Sequence, residues 1–204
     1  MKRFCDIVFS IFVLMILLPF FIIIAVIIVM ESRGGFIYMQ KRVGKGNRDF
    51  NLYKFRTMKV GSDKNGLLTV GMRDSRITRL GYVLRKYKLD EFPQLMNIIK
   101  GDMSIVGPRP EVRKYVGLYD ENQRKVLNVR PGLTDYASLE YIHENELLAQ
   151  AEDPEKVYIE EIMPHKIALN LAYMEKQSFC EDLKIIFHTF RNIIGIKSVV
   201  KSSH

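Results

Sequence analysis

From Ile7 to Met30 the sequence carries no charge, and only Ser10 and Pro19 interrupt its apolar run. A helix crosses the hydrocarbon core of a bilayer with roughly 20 apolar residues, so about 24 in a row assign this segment to a membrane. A cleavable signal peptide does not fit, because the run is too long for an h-region and no small-residue cleavage site follows. A simple span meets a different objection. Lys2 and Arg3 precede the run, while Arg33, Lys41, Arg42, Lys45 and Arg48 follow it. Basic flanks prefer the cytoplasmic side, so both ends compete for one face. Pro19, near the middle, removes a helical hydrogen bond and bends the axis. Residues 1–32 are therefore expected to form a re-entrant helix-break-helix with Pro19 as the break. Asp6, beside Lys2 and Arg3, is expected to make a local ion pair at headgroup level.

The remainder has to fold in water. A chain of 204 residues allows one domain with a proper core beside the membrane segment. That domain is expected at 33–196, with a flexible tail at 197–204. Lysine and arginine number 31 against 23 acidic residues, a net charge of +8. Such an excess calls for an anionic partner: nucleic acid, anionic lipid or a phosphorylated substrate. Cys5 and Cys180 stand far apart and fit a reducing compartment. His143, His165, His188 and His204 have no ligand-like spacing, so no zinc site is readable.

Chemistry concentrates between Lys88 and Pro110. Asp90 and Glu91 open a short helix over Gln94–Ile99, with Pro93 in its first turn and Gly101 just past its end. Read plainly, the two acids only cap that helix and complement its dipole. Gly107-Pro108-Arg109-Pro110 then presents Arg109 on a loop stiffened by two prolines. A fixed guanidinium beside adjacent carboxylates suits a phosphate and its metal ion. The helix N-terminus is expected to favour the anionic form of Asp90.

Around this centre, Phe36–Gln40 and Phe50–Met58 read as a hairpin about the turn residues Gly44-Lys45-Gly46-Asn47, which lack the spacing of a P-loop. Alternation puts Lys54 and Arg56 on one face of the second strand, either as a charge-blunted edge or as part of a site. Residues 61–75, with Asp63 and Lys64, read as a loop, and the basic stretch from Ser75 to Leu89 as an amphipathic helix near a membrane surface. Tyr115–Val129 reads as a polar helix leading into a loop that displays Arg130. Glu140–Glu161 is expected to be partly helical, with Pro154 and Pro164 as breaks, before helices at Ile167–Met174 and Asp182–Ile196. The last has an apolar side that suits the core or the headgroup plane equally.

The stretch "LDEFPQLMNIIKGDMSIVGPRPE" resembles the core signature of the bacterial sugar transferases, specifically the small monotopic phosphoglycosyl transferases. The resemblance extends to Lys2–Asp6, "YMQKRVGKG", "YKFRTM", "DSRITRLGYVLRKYKLDE" and "VRPGLT". It implies an α+β, mostly helical fold: a re-entrant membrane helix and a cytosolic catalytic domain with a small β-hairpin and membrane-surface helices. It also implies a place at the cytoplasmic face of a bacterial inner membrane with anionic headgroups, and no nucleic-acid partner.

For the reaction, the resemblance implies transfer of a phosphosugar from a UDP-sugar to polyprenyl (undecaprenyl) phosphate, the initiating step of a glycoconjugate pathway. Asp90 would be the nucleophile, UMP the leaving group and an aspartyl phosphosugar the intermediate. Glu91 would orient, deprotonate or share Mg²⁺ with Asp90, and Arg109, Lys54, Arg56 and Arg130 are candidates for phosphate or nucleotide contacts. Two departures stand out. Leu18 replaces the serine that several small relatives have before the central proline. Asp135-Tyr136-Ala137-Ser138-Leu139-Glu140-Tyr141 replaces the Gly-x-x-Gln-Val-Asn-Gly-Arg run common in relatives, which puts substrate choice in question. Two competing readings are a membrane-anchored glycosyltransferase releasing UDP, whose frequent Asp-x-Asp site is absent, and a non-enzymatic basic adaptor. The sugar, the pathway and the oligomeric state stay open.

Overall fold

The computed structural model describes residues 1–61 and 75–193. The loop expected between Gly61 and Ser75 and the tail expected at 197–204 lie outside the described residues. The chain opens with one long helix, α1 (Lys2–Glu31). It continues through Pro19, so the predicted break is not a gap in the helix; the missing N–H of Pro19 leaves the carbonyl of Met15 without its helical donor.

Two faces of α1 differ sharply. Asp6, Ser10 and Ile28 are buried, Val13 and Leu14 pack into the core, and Phe21 and Ile24 cover Phe55 and Leu84. On the opposite face Phe4, Val8, Phe12, Met15, Ile22 and Val26 are exposed. Burial at helical spacing from Asp6 to Ile28 means that α1 lies against the folded unit along its length.

A hairpin follows: β1 (Ile37–Val43) pairs antiparallel with β2 (Asp49–Phe55), Tyr38 standing opposite Lys54. Its turn is the Lys45–Asn47 one-turn helix, where Gly46 has φ 68°. The second strand is shorter than expected and stops before Arg56.

Next come α2 (Arg79–Lys86), a 3-10 turn at Leu89–Glu91, α3 (Gln94–Lys100) and β3 (Ser104–Val106). After α4 (Arg113–Val116) and a 3-10 stretch at Gln123–Asn128, β4 (Gly132–Thr134) pairs parallel with β3. The single helix expected over Tyr115–Val129 is thus two short pieces, because few apolar residues there give a continuous helix a face to bury.

The C-terminal part is helical: α5 (Tyr136–Glu140), α6 (Glu144–Gln150), α7 (Pro154–Val157), a π turn at Tyr158–Ile162, α8 (Met163–Glu175) and α9 (Phe179–Ile193). Pro154 stands at a break, between α6 and α7, as expected, whereas Pro164 interrupts nothing. Pro154 starts α7 with Asp153 capping it, and Pro164 sits in the first turn of α8, where no N–H is required. The wide turn before it carries the helical path past the proline.

The core has three parts. Val43, Tyr115, Val116, Leu148, Tyr158 and Met163 join the hairpin to α4–α8. Leu52, Leu95, Ile98, Met103, Tyr173 and Ile185 join β2 and α3 to α8 and α9. Ile28, Phe55 and Leu84 fix α1 on β2 and α2.

Candidate active site

Lys88 has φ 57°, a conformation uncommon for a residue with a side chain, and it starts the 3-10 turn that carries Asp90 and Glu91. Asp90 is therefore inside that turn and does not cap α3, whose first position follows Pro93 with no side-chain cap. The predicted electrostatics change accordingly. Asp90 is 7% exposed. Burial pushes its carboxyl above the usual range, opposed in part by Lys54, whereas the sequence predicts a helix terminus that favours ionisation.

Glu91 has the opposite environment one residue later. Lys54 Nζ lies 3.1 Å from Glu91 Oε1, and Arg109 donates to the same oxygen. Burial acts to raise this carboxyl, but Arg109 and Lys54 outweigh it and hold Glu91 well below the ordinary value. In turn Glu91 raises Arg109 further, so that guanidinium is permanently charged, while burial lowers Lys54 against the pull of Glu91. Two carboxylates adjacent in sequence are thereby made unlike.

Backbone contacts bring these groups together. Asn97, fully buried, accepts from Tyr53 N at 3.0 Å and donates to Asn51 O at 2.7 Å, which fixes β2 and hence Lys54 beside α3. The Arg109 loop is held on its other side by Asp135, which accepts from Arg109 N at 3.0 Å while its second oxygen caps α5 through Ser138 N at 2.7 Å. Arg42 donates to Pro110 O and Glu111, and Glu111 also takes Tyr158 OH. Gly107 and Gly132 cross so closely that a Cβ on Gly132 would stand 2.2 Å from Gly107 N. Only glycine fits that crossing.

The resulting cleft, about 2420 Å³, is lined by Lys54, Asp90, Glu91 and Arg109 and also by Phe9, Val13, Ile16 and Leu17 of α1. Charged groups suited to a phosphate thus share one cavity with the apolar membrane-type helix.

The other two candidate phosphate contacts, Arg56 and Arg130, have protein partners of their own, although Arg56 also lines the cleft. Arg56 is buried, and its guanidinium donates to Arg33 O at 2.9 Å, Ser32 O at 2.6 Å and Ile28 O at 3.4 Å. It serves carbonyls where the chain leaves α1: Ser32 O and Arg33 O just past the helix, and Ile28 O, which also accepts from Ser32 N. Strand β2 ends at Phe55, so the alternation that pairs Lys54 with Arg56 does not extend that far. Arg130 donates to Gly101 O at 2.9 Å and does not line the cleft.

Asp6 is a further correction. It does not pair with Lys2 or Arg3 at headgroup level; it is buried and accepts from Ser104 Oγ at 2.7 Å. Sequence reasoning also missed Asp135, Asn97 and Glu111. An N-cap signal at Asp135 was available, an acid immediately before a short helix; Asn97 and Glu111 carry no local mark of their tertiary bonds.

Residues 1–195 match the bacterial sugar transferase family, and the chain belongs to it. It is 37% identical over 198 residues to the UDP-N-acetylgalactosamine-undecaprenyl-phosphate N-acetylgalactosaminephosphotransferase of Aeromonas hydrophila, covering 95% of this chain and 43% of that protein. It is 35% identical over 198 residues to an exopolysaccharide production protein of Rhizobium leguminosarum, covering 93% of this chain and 92% of that one. With the UDP-glucose:undecaprenyl-phosphate glucose-1-phosphate transferase of Caulobacter vibrioides it shares 32% identity over 196 residues, 95% of this chain and 69% of the relative. The chain thus spans less than half of the Aeromonas protein.

Proposed function

We propose that this chain transfers a phosphosugar from a UDP-sugar to a polyprenyl phosphate in the bilayer, the initiating step of a glycoconjugate pathway. The observation that carries the reading is the pairing of a buried Asp90 with the Glu91–Lys54–Arg109 cluster, in a cleft walled by α1. Arg109 and Lys54 bind the donor's diphosphate and screen its charge, which lets an anionic nucleophile approach phosphorus. Asp90 attacks the β-phosphorus: its oxygen forms a P–O bond, the bond to the bridging oxygen breaks, and UMP leaves with that electron pair. The acceptor's phosphate oxygen then attacks the aspartyl phosphosugar, forms the lipid diphosphosugar and frees the Asp90 carboxylate. Glu91 keeps Lys54 and Arg109 in register.

Mg²⁺ belongs to the same reading. Among the described residues no three His, Cys, Asp or Glu side chains gather, and one oxygen of Glu91 already takes two cations. Asp90 and Glu91 would hold such an ion, with substrate phosphates completing its ligands. When bound, the ion supplies charge neutralisation at the diphosphate.

The contacts of α1 support a monotopic position. Arg3 near its start bonds to α3 and Glu31 at its end accepts from Arg79 N at 2.7 Å, so both ends are tied to one folded unit. A helix that crossed the bilayer would carry one end away. The exposed apolar face of α1 and the row Phe179, Leu183, Phe187 and Phe190 on α9 support a membrane-facing side. The test is UMP release from a panel of UDP-sugars with Mg²⁺ and no lipid. A stoichiometric burst with a phosphosugar mass on the wild-type chain, absent in Asp90→Asn, is expected; release of UDP would overturn the reading.

A further inference from the structure

The first turns of α1 hold three charged side chains that this chemistry does not use. Arg3 donates to the carbonyls of Ile98 and Ile99, the latter at 3.2 Å, at the C-terminal end of α3, and to Met103 O at 3.1 Å. Asp6 accepts from Ser104 Oγ at 2.7 Å and from Ile105 N at 3.3 Å. Lys2 donates to Val106 O at 3.0 Å, and also reaches Tyr173 OH at 3.1 Å and Asp182 at 2.6 Å. Six of the eight atoms gripped by these three residues lie on the segment from Ile98 to Val106; the other two, both partners of Lys2, are on Tyr173 and Asp182. That segment runs between Glu91 and Arg109 in the chain, and the Glu91–Arg109 ion pair closes it.

A sequence view gives these charges to lipid headgroups, as basic residues flanking a membrane segment. Their geometry is different. Arg3 meets carbonyls of the last turn of α3, Ile98 O sharing its lone pairs with Gly101 N, where a cation is also favoured by the helix dipole. Asp6 bonds the first two residues of β3, and Lys2 the last one before Gly107.

We infer that Lys2, Arg3 and Asp6 are positioning residues of the active site: they fix the α3–β3 segment and, through it, the placement of Arg109 against Asp90. The inference rests on the transferase reading. It makes the start of the membrane helix part of the catalytic framework, so that helix does more than hold the protein at the bilayer. Small misplacements of reacting groups cost rate more than binding.

The test compares Arg3→Ala, Arg3→Lys and Asp6→Asn with Glu31→Gln, which alters the opposite end of α1. Each full chain is assayed in membranes for kcat and donor KM, for membrane retention, for thermal midpoint and for amide exchange at residues 98–107. Arg3→Ala and Asp6→Asn are expected to lower kcat by about tenfold to a hundredfold, with KM changed less than about threefold. Membrane retention stays as in wild type, exchange at 98–107 quickens, and Arg3→Lys recovers part of the rate. Glu31→Gln keeps the wild-type kcat. Wild-type kcat in Arg3→Ala and Asp6→Asn despite quicker exchange, or a loss seen only in retention or thermal midpoint, overturns the inference and leaves these residues as fasteners. A wild-type chain that releases no UMP overturns the transferase reading instead, and the inference falls with it.

Discussion

At the end of β2, Arg56 turns its guanidinium onto the carbonyls of Ile28, Ser32 and Arg33; beyond β3, Arg109 turns its own onto Glu91 in the cleft. Both arginines sit just past a short strand, and both carry the sequence marks of a phosphate contact. What separates them is the nearest competing acceptor. Carbonyls at and just past the end of α1 take up one guanidinium and tie it to the scaffold. A carboxylate with its own second cation takes up the other without closing it off, since the Arg109 side chain remains 31% exposed. Charge alone does not say whether a cation works for the fold or for the substrate.

The largest effect that would sharpen this contrast belongs to Asp90. Asp90→Asn should cut UMP release by about a thousandfold or more, because the nucleophile is gone. It should also raise the thermal midpoint at neutral pH. A carboxyl whose folded pKa is raised contributes stability that is complete below its unfolded pKa and is lost as pH rises through the folded one. The amide removes that loss. Melting curves of both proteins at several pH values check it, and a lower midpoint in Asp90→Asn would mean that burial is not what governs this group.

Arg109→Ala should lower kcat by about a hundredfold, the scale for losing one group that stabilises developing charge. Arg56→Ala should do something else: reduce unfolding free energy by about 2–4 kcal/mol through lost charged hydrogen bonds, with donor KM unchanged in the protein that remains folded. Denaturant titration alongside donor kinetics separates the two arginines. A raised KM in Arg56→Ala with normal stability would erase the distinction between them.

Glu91→Gln should destabilise the protein at neutral pH, since Lys54 and Arg109 lose their shared anion. A carboxyl whose folded pKa is depressed contributes stability present above its unfolded pKa and lost as pH falls through the folded one. The gap from wild type should therefore narrow below about pH 4. A gap that stays constant across that range would show that packing, not charge, makes the difference. Arg130→Ala marks the small end of the scale, with donor KM within about threefold of wild type, because its side chain lies off the cleft.

Much was legible in the chain itself. The uncharged run from Ile7 to Met30, the hairpin around Gly44–Asn47, the short helix after Pro93 and the stiff loop at Arg109 all follow from hydropathy, turn chemistry and proline, which act over a few residues. The juxtaposition of Glu91 with Lys54 and Arg109 did not follow from those rules. It depends on Asn97 joining β2 to α3, on two glycines letting β3 and β4 cross, and on Asp135 holding the loop from 26 residues away. The same limit explains the corrections at Asp6 and Asp90 and the carbonyl partners of Arg56. Local pattern fixes which residues are charged and where the backbone turns. Burial and the nearest partner fix what each charge does, and both arise only when distant segments meet.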